Sequence, residues 1–402
     1  MKILIPFSYY HPEQCAGLFV IDDMTTEAAK QGIESLITVP TPTRNVPSDA
    51  KWSRNEALCD GMVKLHRFHM YGEGKNPVMR AFRYLLCEIV QLHFMLWKEY
   101  DVAFIDSTPP IQGLKLPIVR LFRKKPMVYN AQDLFPETLS GTGLANQGGI
   151  LWKIGMWVSN VTFRNSDKII AISNDIKRSM VARGVPAEKV EVVYNWVDEN
   201  AVQPVSREDN PLFEEFGLSR DKFTIVYAGN LGNAQNIGIV LEGAKELPEV
   251  QFAVFGSGGL ENEIRKRIED EQLVNVHLNP LQPVERVSYV YSLGDACIVS
   301  CKEGLGGSAM PSKSWSIMSC GRPVVANFDE GELKEILENN NCGVFSHSGN
   351  VKEFVAAIRQ MATNREKCEE MGKNARQFIL DNLTKEVGAK KYVDIIKSVV
   401  KK

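Results

Sequence analysis

The chain has 402 residues, more than one hydrophobic core usually covers, and predicts two domains of about 200 residues each. Its 44% hydrophobic and 24% charged content is that of a soluble globular protein, and a formal net charge of -2 excludes the global basic field of a nucleic-acid binder. Eight scattered cysteines form no Cys-x-x-Cys pair, and among six histidines only His66 and His69 stand at a helix-face spacing without a third ligand, so no metal site is expected.

Taken in chain order, KILIPFS (residues 2–8) reads as a buried strand, with none of the build of a signal peptide. A helix is predicted over about residues 18–31, followed by the strand SLITVP. Apolar, β-branched runs recur at 101–105, 126–129, 168–172 and 190–194, with helical patterns at 78–98 and 149–164 between them. The longest apolar run, around 85–97, contains Glu88, Gln91 and His93 and is too short and polar to span a bilayer. The pattern lapses over 201–221 (AVQPVSREDNPLFEEFGLSRD), which reads as a connection between domains. It restarts at residue 222 with FTIVYAGN, QFAVFGSG, VNVHLNP, ACIVSC, PVVANF and GVFSH as strands. The last segment, 384–402, alternates apolar residues and lysines at helical spacing.

Strands alternating with helices mean βαβ units and a parallel sheet. The predicted fold is α/β: two Rossmann-like, doubly wound domains facing across a cleft, at residues 1–205 and 206–383. A terminal helix, 384–402, is expected to pack back on the N-terminal domain. Ligands of such sheets bind beyond the carboxyl ends of the strands.

The loops at those ends carry the chemistry. EGLGGSAMPSKSWSIMSCGRPVV (303–325) follows a strand, runs through Gly304, Gly306 and Gly307, and enters a helix near Pro311. Such a turn offers backbone amides to an anion, above all a phosphate. Ser308 and Ser312 add donors, and Lys313 adds a charge at the helix end where the backbone dipole disfavours one. Glu303, at the loop entrance, suits sugar hydroxyls better than an anion. YAGNLGNAQN (227–236) supplies Gly229, Gly232, Asn230 and Gln235, neutral donors on a tight turn. FGSGGLE (255–261), with Gly256, lacks the third glycine of a dinucleotide fingerprint and reads as a strand-to-helix turn. In the first half, YNAQDLFPE (129–137) places Asp133 at a strand end, where it could orient a hydroxyl or cap a turn. SYYHPEQCAG (8–17) brings His11, Glu13 and Gly17 to the first strand-to-helix loop.

Together these stretches resemble the retaining glycosyltransferases of family four, with the GT-B fold, in the branch that builds bacterial O-antigens and capsules. The likeness runs over nearly the whole chain. It rests on HPEQCAG, DLFPE, NWVD (195–198), YAGNLGNAQ, and PSK followed by GRPVV, in that order. The resemblance implies a nucleoside-diphosphate sugar, UDP-sugar favoured, bound mainly by the second domain, with its diphosphate near Gly232, Ser308 and Lys313. Asn230, Gln235, Gly256, Leu281, Gly306, Gly307, Ser312 and Ser316 complete the donor set there, with Gly17 from the first domain. Asp133, Glu303 and Lys313 are the residues expected to act in catalysis. The resemblance further implies retention at the anomeric carbon, no metal and no cofactor. The acceptor would be a glycan or a sugar on a polyprenyl-diphosphate lipid, for a cytoplasmic protein lying on the inner membrane surface. A non-catalytic homologue that binds partners, and a sugar-nucleotide epimerase of the same fold, are the alternatives.

The chain departs from the family pattern at named positions. The second acid of the family's paired-Glu motif falls on Ser316, and counting back by the family's spacing places the first acid nearer Ser308 than Glu303. Asn230 and Gln235 stand where many members have Arg and Lys. Gln132 stands in place of a common His, and Tyr194 and Trp196 replace the usual Pro and Gly around Asn195. Two further segments, IVRLFRKK (118–125) and ILWKIGMWVSNVTFRN (150–165), mix aromatic or apolar residues with basic ones, a pattern that fits either a bilayer interface or interior packing.

Overall fold

The computed structural model describes every residue except 14, 16, 44–45, 47–48, 73–75, 138–145, 309 and 401–402. Contacts divide the chain into two units, Met1–Tyr194 with Glu386–Lys402, and Asn195–Lys385.

The first unit is built on eight strands: β1 (Lys2–Pro6), β2 (Glu34–Pro40), β3 (Asn55–Leu58), β4 (Val63–Phe68), β5 (Val102–Asp106), β6 (Met127–Ala131), β7 (Lys168–Ala171) and β8 (Val190–Val192). Their order is β3-β4-β2-β1-β5-β6-β7-β8. All pairs are parallel except β3 with β4. β5 and β6 are fully buried, which is why VAFID and MVYNA read as continuous apolar runs. The chain winds one way from β1 through β2 and β4, then the other way from β5 to β8. The direction reverses between β1 and β5, and the loops after these two strands open the crevice of the sheet. The helices are α1 (Leu18–Lys30), α2 (Pro77–Trp97), α3 (Leu116–Phe122), α4 (Ile150–Asn165) and α5 (Asn174–Ala182). Asn76 caps α2 through the amides of Val78 and Met79, and Ser173 caps α5 through Ile176.

The antiparallel edge formed by β3 and β4 falls where no strand is expected from the sequence pattern. His66 lies on β4 rather than on a helix, and its Nδ1 pairs with Asn55 Oδ1 at 2.7 Å. β3 is only four residues long and largely exposed, so it lacks the apolar run that marks a strand.

The second unit holds six parallel strands in the order β11-β10-β9-β12-β13-β14. They are β9 (Thr224–Asn230), β10 (Gln251–Ser257), β11 (Val276–Asn279), β12 (Ala296–Ser300), β13 (Val324–Phe328) and β14 (Gly343–His347). Their helices are α6 (Leu212–Glu215), α7 (Gly238–Glu246), α8 (Glu261–Asp270), α9 (Val287–Ser292), α10 (Lys313–Ser319), α11 (Glu332–Asn339), α12 (Val351–Thr363) and α13 (Arg365–Asn382). Here the winding reverses between β9 and β12. The core joins Ile225, Tyr227, Phe252, Val254, Ile298 and Val325 to α7 and α12 through Leu241 and Phe354.

α10 ends on Gly321, which adopts φ +66°. The Gly321 amide bonds to Met318 O and the Arg322 amide to Ile317 O, closing the helix with two reversed bonds. The Gly-Arg-Pro sequence is thus a helix stop feeding β13. The last helix, α14 (Lys385–Ser398), returns to the first unit. Its Tyr392 is fully buried, 6.0 Å from Phe104 between ring centroids.

Candidate functional site

In the second unit, the reversal of winding brings the loops after β9 and β12 together. Ser300 Oγ donates to Gln235 O at 2.6 Å, and the Lys302 amide donates to Ala234 O at 2.9 Å. These bonds fasten the 232–236 turn to the end of β12. Within the turn, Asn230 Nδ2 donates to Gln235 Oε1 at 3.3 Å. A Cβ on Gly232 would lie 2.7 Å from that Asn230 nitrogen, so only glycine lets the pair close over it.

Lys313 opens α10 and reaches the same place. Its Nζ stands 4.7 Å from the Tyr227 ring centroid and 3.5 Å from the Tyr227 hydroxyl. That hydroxyl in turn donates to Asn230 O at 2.7 Å. Gly229, at φ +143°, makes the room: a Cβ there would lie 3.1 Å from Lys313 Nζ. Among the described residues no carboxylate lies within ion-pair distance of Lys313. Burial pushes its ammonium down to about 8. The site is therefore a half-buried cation on an aromatic face, beside a turn of neutral amides. Such a cation favours an anion that arrives from outside.

The other expected donor-side residues divide by what holds them. The Gly306 amide already donates to Asp329 Oδ2 at 2.8 Å, and a Cβ on Gly306 would meet the Phe328 ring at 2.8 Å. Gly256 is equally close to Gly229 O, at 2.5 Å for a Cβ, and spaces β10 against the end of β9. Gly307 and Ser312 are exposed, and Ser312 caps α10 without a side-chain bond. Ser316 is partly buried one helical turn beyond Lys313. Leu281 is exposed in the loop after β11. The Ser308 side chain lies outside the described residues. Glu303 is exposed on a turn anchored by the Lys302 amide, next to Gly304 at φ +84°, and has no hydrogen-bond or ion-pair partner among the described residues.

Asp133 and Gly17 belong to the first unit. Gly17, at φ +88°, is the residue that turns the chain into α1. The Asp133 side chain is accessible, yet the protein around it pushes its carboxyl up. His11 Nε2 pairs with Asp22 Oδ2 at 2.8 Å, and that bond raises its pKa. Glu13 is buried and accepts the Thr43 amide at 2.8 Å, which is a structural task.

Sequence reasoning missed two groups. Tyr227 opens the YAGNLGNAQN motif without a role of its own there, and only the position of Lys313 reveals one. At the end of β5, Asp106 is buried and its carboxyl is pushed up to about 6 by burial. It accepts the Thr108 amide at 3.1 Å and Asn130 Nδ2 at 3.0 Å. Asn130 Oδ1 receives the Tyr392 hydroxyl at 2.9 Å and Gln132 Nε2 at 3.0 Å. The signal was an acid closing one apolar strand and an Asn next to the end of another. Among the described residues no cluster of His, Cys, Asp or Glu could hold a metal ion.

Comparison with known proteins bears on this geometry. Residues 19–201 match the family model described as "Glycosyltransferase Family 4", and residues 208–378 match the one described as "Glycosyl transferases group 1". The chain is 27% identical over 381 residues to the "Putative colanic acid biosynthesis glycosyl transferase WcaI" of Escherichia coli, covering 90% of this chain and 92% of that one. It is 24% identical over 246 residues to the "Probable glycosyltransferase WbjE" of Pseudomonas aeruginosa, covering 60% of this chain and 61% of that protein. The crystal structure of Anabaena Alr3699/HepE in complex with UDP-glucose superposes with a TM-score of 0.72 at 17% identity, over 99% of this chain and all of that one.

Proposed function

The chain belongs to the group 1, family 4 glycosyltransferases with the GT-B fold, and from that premise we propose that its donor is a UDP-sugar whose diphosphate meets Lys313. The transferred group is a hexose or N-acetylhexosamine. The acceptor is a glycan or a polyprenyl-diphosphate-linked sugar in surface polysaccharide assembly, met on the cytoplasmic face of the membrane. A colanic acid transferase and a protein solved with UDP-glucose among the similar proteins support this choice.

One observation carries the reading: the Lys313 ammonium is half-buried, with no carboxylate in ion-pair distance among the described residues. Holding an unpaired cation in that position costs stability. A diphosphate offsets this cost, and the gain grows as the sugar–phosphate bond breaks and charge collects on the leaving oxygen. A cation fixed before the reaction stabilises that charge without reorganising. The Asn230–Gln235 pair offers neutral donors beside it, suited to phosphate or ribose oxygens. Glu303 takes the sugar side, where a carboxylate accepts from hydroxyls. Asp133, whose carboxyl is pushed up, orients the acceptor hydroxyl.

The test is a panel. Purified protein is titrated calorimetrically with UDP and GDP, and slow donor hydrolysis is followed for UDP- and GDP-sugars. Binding of UDP with hydrolysis of one UDP-sugar is the expected result. Binding of neither nucleotide would remove the donor site from the second unit.

A further inference from the structure

The end of β6 is held by the last helix of the chain. Asn130 and Tyr392 stand 262 residues apart, and both side chains are buried. The Tyr392 hydroxyl donates to Asn130 Oδ1 at 2.9 Å. Gln132 Nε2 donates to the same oxygen at 3.0 Å and to the Tyr392 hydroxyl at 3.3 Å. Asn130, Gln132 and Tyr392 thus close a ring of hydrogen bonds, all within the first unit.

The ring has one orientation. Asn130 Nδ2 donates to Asp106 Oδ1 at 3.0 Å, from β6 across to the end of β5. With its nitrogen committed there, the Asn130 amide turns its oxygen to Tyr392 and Gln132, and both lone pairs of that oxygen are used. Asp106 is fixed in its turn by the Thr108 amide at 3.1 Å. A buried network whose members satisfy one another is rigid.

The hydroxyl is the feature that packing does not explain. The Tyr392 ring lies 6.0 Å from the Phe104 ring between centroids, and a phenylalanine would fill that space without burying an oxygen. A buried hydroxyl costs stability unless it is matched. What the oxygen adds is its hold on Asn130 and Gln132.

That hold falls beside Asp133. On one side, Gln132 is fixed by its side chain, and its backbone amide donates to Ser107 Oγ at 3.3 Å. On the other, Leu134 is buried, and Phe135 O accepts Ser159 Oγ at 2.7 Å and Arg183 Nη1 at 3.1 Å. Asp133, between these anchors, is exposed. The result is a carboxyl group presented at a set position beyond the carboxyl end of a parallel strand. We propose that Tyr392 on α14 is a positioning residue: through Asn130 and Gln132 it holds the end of β6 so that Asp133 meets the acceptor hydroxyl. Asp106 serves the same end by fixing the orientation of the Asn130 amide. The inference rests on the proposed acceptor-side role of Asp133. A displacement of about 1 Å at such a group is enough to lower the rate of a reaction whose partners must be aligned.

The experiment is donor hydrolysis by the full chain, with water in the place of the acceptor. The probe is UDP-glucose, or whichever UDP-sugar of the panel the wild type hydrolyses. Values of kcat and KM are measured beside UDP affinity and melting temperature. Tyr392→Phe keeps the ring against Phe104 and removes the hydroxyl. It is expected to lower kcat about tenfold and to leave KM and UDP affinity within about twofold. Gln132→Met keeps the length of the side chain, cuts the ring from its partly buried side, and is expected to do the same. Asn130→Asp sets a carboxylate against Asp106 and is expected to lower kcat at least as much. Asp106→Asn/Asn130→Asp exchanges donor and acceptor across that bond and is expected to regain most of the lost turnover. Asp133→Asn is the reference for the acid itself. If it lowers kcat tenfold while Tyr392→Phe and Gln132→Met turn over like wild type, the positioning role is overturned. A fall in kcat that tracks a loss of UDP affinity marks a purely structural tyrosine and overturns it as well. Unchanged turnover in Asp133→Asn removes the acceptor-side role of Asp133 itself, and the positioning role with it.

Discussion

Lys313 and Tyr227 form a cation–aromatic pair in which the ammonium lies 4.7 Å from the ring centroid, while the Tyr227 hydroxyl donates to Asn230 O. The pair links the start of α10 to the turn after β9, with no carboxylate in ion-pair distance among the described residues. On the proposed reading this lysine meets the donor's diphosphate. Lys313→Ala is expected to weaken UDP binding by about 30- to 100-fold, the worth of one charge-assisted contact to phosphate. Calorimetry with UDP measures it. Unchanged affinity would mean that the diphosphate lies elsewhere.

The same lysine costs the free protein stability. Its pKa falls from 10.5 unfolded to about 8 folded, so the unfolded chain holds the extra proton between these values and wild-type stability rises with pH across that window. Lys313→Met is thus expected to be more stable than wild type below pH 8, by about 1–3 kcal/mol after allowing for partial exposure. The advantage should shrink as pH rises towards 10.5. Denaturant unfolding of both proteins at pH 7 and pH 10 checks the sign. A variant less stable than wild type at pH 7 would show that the stem of Lys313, not its charge, governs the site.

Gly229→Ala strains the backbone and crowds the ammonium together. At φ +143° an alanine is disfavoured, and its Cβ would stand 3.1 Å from Lys313 Nζ. The expected loss is about 1–3 kcal/mol of stability, with weaker UDP binding as Lys313 is pushed aside. Gly259→Ala is the control, since a Cβ there meets nothing within 4 Å. Equal melting temperatures for the two variants would contradict the strain argument.

The parallel sheets were legible because their central strands are buried on both faces, so ILIP, VAFID, MVYNA and ACIVS stand out as apolar runs. β4 was not, because VKLHRF carries Lys64 to solvent and buries Arg67, whose guanidinium donates to His11 O at 2.6 Å. A buried arginine reads as a surface residue. α2 was predicted as a helix almost to the residue, but apolar residues stand on both of its faces: Cys87 and Met95 turn inward while Val78, Phe82, Leu85 and Ile89 stay exposed. In the site, Lys313 was legible as a charge at the wrong end of a helix. Tyr227 and Asp106 were not, because each ends or lies within an apolar strand and gains its role only from a partner 86 residues from Tyr227 or 24 residues from Asp106.

Asp106 gives a second pH signature, in the first unit. Its carboxyl moves from 3.8 unfolded to about 6 folded, so the native state holds the proton and stability falls as pH rises through this window. Asp106→Asn removes the titration. Its stability relative to wild type is expected to improve by about 2–3 kcal/mol between pH 4 and pH 7. Parallel unfolding curves at the two pH values read this change directly. A constant difference would mean that Asp106 ionises as readily in the folded chain as in the unfolded one.

In the proposed site Glu303 serves the sugar and Ser316 the nucleotide. Glu303 is exposed and unpartnered among the described residues, so its charge serves no fold contact there. Ser316, on the same face of α10 as Lys313, offers a hydroxyl where the family's second acid would stand. Glu303→Gln keeps the shape and loses the charged acceptor. It is expected to leave UDP affinity within about threefold and to lower donor hydrolysis about 10- to 100-fold, the worth of a hydrogen bond to a charged group. Ser316→Ala loses only a neutral contact and is expected to weaken UDP by no more than about fivefold. Calorimetry and hydrolysis rates on the two variants check both statements. If Glu303→Gln instead abolishes UDP binding with turnover intact on bound donor, the carboxylate faces the nucleotide and the sugar-side assignment falls.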